Sequence, residues 1–151
     1  MLWGGMLKIL PDTFFVYIKR NPIDVALSLY HARIAYYNDP NKWLSMIPPN
    51  CDNLLNESWK VQISKQVYYL NSFYEEQLKK LSEKSFMVIE YEELCLDPVD
   101  VMKKIKEKVL LHTGYELNFN GDIPYKFEVE TPSRDFNGAS DLIKEVQKYF
   151  N

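Results

Sequence analysis

The apolar positions of this chain follow two periods, and the change from one to the other marks its elements. Phe14–Ile18 is an unbroken aromatic and β-branched run without a turn residue, which predicts a short strand covered on both faces. Asn21-Pro22-Ile23-Asp24 then starts a helix. Asn21 is placed to cap it, Pro22 fits the first helical position because no N–H is needed there, and Asp24 is placed to satisfy a further free amide. Val25, Ala26, Leu27, Leu29, Tyr30, Ala32, Ile34 and Ala35 make that helix apolar almost all the way round, the pattern of a buried helix. Asp24, Ser28 and His31 form its one polar stripe, spaced to share a face.

A long amphipathic helix is predicted over Glu57–Leu81, where Trp59, Ile63, Val67, Leu70, Tyr74, Leu78 and Leu81 recur at three and four. Phe86–Tyr91 reads as a second strand, and Asp97-Pro98-Val99-Asp100 repeats the helix-start pattern, with Met102, Ile105 and Val109 facing inward. Two strand–turn–helix units joined through a helical connection predict parallel strands in one sheet. The fold class is therefore α/β, a parallel sheet flanked by helices. Gly4-Gly5 should break any regular element in residues 1–12. Tyr36–Asn56 reads as a long loop with one helical turn around Lys42–Ile47, and Phe119–Val129 as an irregular segment or edge strand. A last helix is predicted over Ser140–Phe150, with Leu142, Ile143, Val146 and Phe150 inward.

Size and charge narrow the function. A chain of 151 residues is one domain on length and can bury a core. A net charge of −3 argues against broad nucleic-acid or anionic-membrane binding, so a phosphate site would have to be local. Cys51 and Cys95 stand far apart without metal-ligand spacing, so no metal is expected, and reduced thiols point to the cytoplasm. No apolar run reaches the roughly 18–20 residues of a membrane span, and the opening residues make a poor signal peptide.

The chemistry concentrates where the first strand meets its helix. Arg20 closes the strand and precedes the Asp24/Ser28/His31 stripe, so a guanidinium and a hydroxyl lie near a helix N-terminus, a natural anion site in α/β proteins. The plain alternative pairs Arg20 with a carboxylate and leaves Ser28 bonded back to a helix carbonyl. Taken together, Arg20-Asn21-Pro22-x-Asp24-Val25-Ala26-x-Ser28 resembles the 3′-phosphate motif of sulfotransferases that use 3′-phosphoadenosine 5′-phosphosulfate (PAPS). In that family the arginine and the serine hold the donor's 3′-phosphate. The segment Val88-Ile89-Glu90-Tyr91-Glu92-Glu93-Leu94, followed by Asp97-Pro98, is similar to the family's second segment, whose tyrosine contacts adenine; Tyr91 takes that place. A basic segment late in the family's chain closes over the 3′-phosphate, and Ser133 and Arg134 are its loose counterparts here, Arg134 being the candidate contact.

The resemblance implies an incomplete P-loop NTPase-like sulfotransferase fold, a single partial domain over residues 1–151. Its phosphosulfate loop and catalytic base are expected upstream of Met1, because none of the five glycines lies in a phosphate-cradling loop. It also implies sulfonate transfer from PAPS to a hydroxyl or amine of a small-molecule or carbohydrate acceptor, without metal. The loop over Tyr36–Asn56 is the candidate acceptor wall. The isolated chain is expected to lack turnover, and an exposed sheet edge to invite self-association. A non-catalytic nucleotide-binding or protein-interaction module derived from the fold is the alternative. A further one is a nucleotide kinase fragment whose motif is accidental. For His31, packing or support of neighbouring groups is the expected role, not that of the base.

Overall fold

A computed structural model describes residues 2–48, 52–119 and 121–150. In chain order the regular elements are α1 (Leu2–Ile9), β1 (Phe15–Lys19), α2 (Pro22–Tyr37), α3 (Trp59–Leu78), β2 (Phe86–Glu90), α4 (Tyr91–Leu96), α5 (Pro98–Thr113) and α6 (Ala139–Phe150). Short 3-10 turns lie at Asp52–Asn56 and Glu83–Ser85. The architecture is α/β. Strands β1 and β2 pair in parallel, in register from Phe15 with Phe86 to Lys19 with Glu90, and helices flank them. No helix among the described residues is long and apolar enough to cross a membrane. The chain divides into two compact units, Met1–Arg20 with Glu75–Glu130 and Asn21–Tyr74 with Thr131–Asn151.

The first unit holds the sheet. Met87 and Ile89 of β2 and Val101 of α5 form its core, with Phe14, Leu94 and Ile105 packed around them. Helix α5 starts where the sequence predicts, with Asp97 accepting from the Asp100 amide at 2.9 Å, and it ends on Gly114 at φ 74°. Coverage on both faces is not what the structure shows. Val16 and Ile18 of β1 are 42% and 48% exposed, because α4 and α5 pack against β2. One further expectation is corrected. Residues 2–9 are helical despite Gly4-Gly5. A helical glycine costs about 1 kcal/mol, and here Trp3 offsets that by stacking on Phe15 with centroids 4.9 Å apart. Helix α4 had no sequence signal of its own; it buries Cys95, and Glu93 on it binds Lys104 of α5 at 2.7 Å. The segment after α5 has no strand among its described residues and is tied down by the Phe127 amide, which donates to the Cys95 carbonyl at 2.8 Å.

The second unit is helical. Ala26 and Leu27 of α2, Ile63 and Val67 of α3, and Leu142 and Val146 of α6 form its core, bordered by Tyr30, Trp59, Phe136 and Phe150. Asn21 caps α2, its side-chain oxygen accepting from the Ile23 amide at 2.9 Å. Asp24 does not satisfy an amide as expected. Its buried Oδ1 has no hydrogen-bond partner among the described residues and faces Arg134 instead. Helix α2 ends at Asn38 in the left-handed region, φ 53°. The helical turn expected around Lys42–Ile47 lies instead at Asp52–Asn56; Ser45, at φ 73°, cannot continue a right-handed helix. Cys51 lies outside the described residues. The loop after α2 is pinned by Arg33, which is fully buried and donates to the Pro40 carbonyl, Gln62 Oε1 and Gln66 Oε1 at 2.9, 2.9 and 3.0 Å. Gln66 in turn donates to the carbonyls of Leu44 and Met46.

Candidate functional site

Arg20 directly follows β1, and Tyr91 opens α4 directly after β2, so parallel pairing brings both to the carboxyl end of the sheet. They meet there. The Arg20 guanidinium carbon lies 4.3 Å from the centroid of the Tyr91 ring. One Arg20 amino nitrogen donates to the Glu130 carbonyl. Arg20 Nε is buried and has no hydrogen-bond partner among the described residues. The alternative pairing with a carboxylate is not observed: no ion pair involves Arg20 among the described residues. Its neighbours are a ring face and a carbonyl, neither of which neutralises the charge. A guanidinium carries five N–H donors, and the one bond to Glu130 uses only one of them.

The Tyr91 hydroxyl meets the Cys95 thiol, and that contact holds the phenol above its ordinary pKa. The Glu130 backbone and the Arg20 charge pull the other way. Glu130 is thus the residue that sequence reasoning missed. It acts through its backbone, which any residue could supply, so no side-chain signal marks it.

Ser28 and Arg134 belong to the second unit. Ser28 is half-buried on α2, and its hydroxyl has no hydrogen-bond partner among the described residues, so back-bonding to a helix carbonyl is not observed. Arg134 is exposed and lies 3.8 Å from Asp24 Oδ1, an ion pair too long to be a hydrogen bond. The segment carrying it is fastened to α2 by two further contacts. His31 Nε2 bonds the Ser133 carbonyl at 2.8 Å, and the Phe136 ring stacks on Tyr30 with centroids 3.9 Å apart. Because a carbonyl only accepts, His31 Nε2 carries the proton.

The two units, each taken by itself, carry an arginine in a different electrostatic setting. Around Arg20 there is an uncompensated cation with an unspent donor and an aromatic ring beside it. Around Arg134 the cation already has a carboxylate. The first suits a phosphate next to a flat base; the second accepts an anion only by giving up Asp24.

Comparison with known proteins gives one match. The family model described as the sulfotransferase domain matches residues 8–108, about two thirds of the chain. That span includes Arg20, Ser28 and Tyr91 and stops short of Arg134. No curated protein and no solved structure matches the chain.

Proposed function

Because the chain belongs to the sulfotransferase domain family, we propose that it carries the 3′-phosphate and adenine side of a PAPS site, in an incomplete P-loop NTPase-like sulfotransferase domain. The donor, when bound, supplies the sulfonate group that passes to a hydroxyl or amine acceptor. The observation that supports this reading best is the state of Arg20: no carboxylate partner among the described residues, a buried Nε without a partner, and a tyrosine ring against its face. A guanidinium so placed binds a phosphate monoester with two parallel hydrogen bonds.

Ser28 is assigned to the phosphate by the family motif, and its unused hydroxyl fits the assignment. Tyr91 is assigned to adenine by the family motif, with Arg20 against one face of its ring. Arg134 is assigned as a further phosphate contact that leaves Asp24 when the nucleotide enters. Residues 38–48, with Trp43 under Arg33 at 5.1 Å, are assigned to the wall for a small-molecule or carbohydrate acceptor. On this reading the 151 residues bind the nucleotide through Arg20, Ser28 and Tyr91. The free thiol of Cys95 supports a cytoplasmic location.

The test is calorimetric binding of 3′-phosphoadenosine 5′-phosphate beside 5′-AMP, on the wild-type chain and on Arg20→Ala. A charge-assisted phosphate contact is worth about 1.5–3 kcal/mol, so the bisphosphate should bind at least tenfold more tightly and Arg20→Ala should erase the difference. Equal binding of the two nucleotides by a well-folded wild-type chain refutes the reading.

A further inference from the structure

Residues 131–136 form a strap without regular structure that contacts α2 at Asp24, Tyr30 and His31, and α6 follows it. The strap touches α2 at three points, and only one of them fixes its backbone. Arg134 to Asp24, at 3.8 Å, is a solvent-screened pair with a guanidinium 60% exposed. Phe136 holds the far end by stacking on Tyr30 and meeting His31 edge-on, with centroids 5.3 Å apart. The bond from His31 Nε2 to the Ser133 carbonyl, 2.8 Å, fixes the peptide unit immediately before Arg134. Arg134 therefore stands between two anchored points, the carbonyl of Ser133 and the ring of Phe136. His31 contributes to both.

We propose that His31 is a positioning residue: its Nε2–H latches the strap to α2 and so sets where the Arg134 guanidinium can reach. The effect on nucleotide binding rests on the donor-site assignment of Arg134 above; the latch itself does not. Nothing in the contact requires a catalytic base, and the nitrogen that bonds the carbonyl is the protonated one. The anchoring works by restricting Arg134 before a ligand arrives, which lowers the entropy lost on binding. His31→Phe keeps an aromatic ring edge-on to both Tyr30 and Phe136 and removes the donor. His31→Gln restores an N–H of similar reach.

Two readouts separate the latch from the donor site. The first is the rate at which trypsin cuts the intact chain after Arg134, which reports opening of the strap whatever the ligand. The second is calorimetric affinity for 3′-phosphoadenosine 5′-phosphate in wild type, His31→Phe, His31→Gln, Arg134→Ala and the double variant His31→Phe/Arg134→Ala. His31→Phe should raise cleavage about fivefold and weaken the nucleotide about fivefold, the size of one hydrogen bond. His31→Gln should recover most of both, and the double variant should bind no more weakly than Arg134→Ala alone. Unchanged cleavage in His31→Phe overturns the latch. A further fivefold loss on adding His31→Phe to Arg134→Ala overturns its action through Arg134. A wild type that does not distinguish the bisphosphate from 5′-AMP overturns the donor site instead, and cleavage alone then decides the latch.

Discussion

Replacing Arg33 with methionine should destabilise the helical unit by about 3 kcal/mol, and the figure follows from its surroundings. The guanidinium is fully buried, stacks over Trp43 and has no carboxylate partner among the described residues. It feeds three acceptors, the Pro40 carbonyl, Gln62 Oε1 and Gln66 Oε1. Methionine fills similar space but leaves those acceptors bare, at about 2 kcal/mol each within the 1–3 range for a lost buried partner. Against this, burial pushes the Arg33 pKa from 12.5 down to about 10. At about 1.4 kcal/mol per pKa unit, holding the charge inside costs about 3 kcal/mol, which methionine removes. The difference is a net loss of about 3 kcal/mol, or a fall of about 6–12 °C in Tm for a chain of this size. The assay is thermal unfolding followed by tryptophan fluorescence, since Trp43 and Trp59 both lie in this unit. Amide exchange over residues 40–46 should quicken alongside, because Gln66 passes the anchoring on to the Leu44 and Met46 carbonyls. An unchanged or raised Tm would mean that the cost of burying the cation exceeds what its bonds return.

Gly138→Ala should destabilise the same unit by about 1–3 kcal/mol, the range for overpacking plus strain. Gly138 has φ 96°, and an added Cβ would meet Lys60 Cε at 3.0 Å and Trp59 Cζ2 at 3.1 Å; a variant as stable as wild type in chemical denaturation would contradict that. In the sheet, β1 and β2 pair only with each other among the described residues, and Val16 and Ile18 are exposed. Self-association through β1 is therefore expected in sedimentation at high concentration, with Val16→Lys shifting the chain toward monomer. A wild-type chain that stays monomeric would refute it.

What was legible in the sequence was local or topological. Asn21 and Asp97 cap their helices because a cap needs only residues within a turn of each other. Arg20 and Tyr91, far apart in the chain, meet because each closes a strand and the strands are parallel. What was not legible depends on partners that no local pattern names. Periodicity marked Val16 and Ile18 as apolar but could not say that α4 and α5 would cover β2 instead. Glycine propensity argued against α1, and a ring contact with Phe15 outweighed it.

The arginines show the same limit at the level of chemistry. Arg20, Arg33 and Arg134 are one letter in the sequence, yet the structure gives them different occupations. Arg33 also has a buried Nε without a partner among the described residues, but it is fully buried and gives three hydrogen bonds to carbonyl and amide oxygens, so it holds a loop and is closed to an anion. Arg134 is exposed and shared with Asp24, so an anion must compete for it. Arg20 is half-buried, leans on a ring and a carbonyl, and keeps a donor without a partner. A cation becomes a ligand site through what fails to neutralise it, and that is a property of neighbours brought in by the fold. The nine-residue pattern could point at Arg20, but that its neighbours are the Tyr91 ring and the Glu130 carbonyl, with no carboxylate among the described residues, comes from the fold.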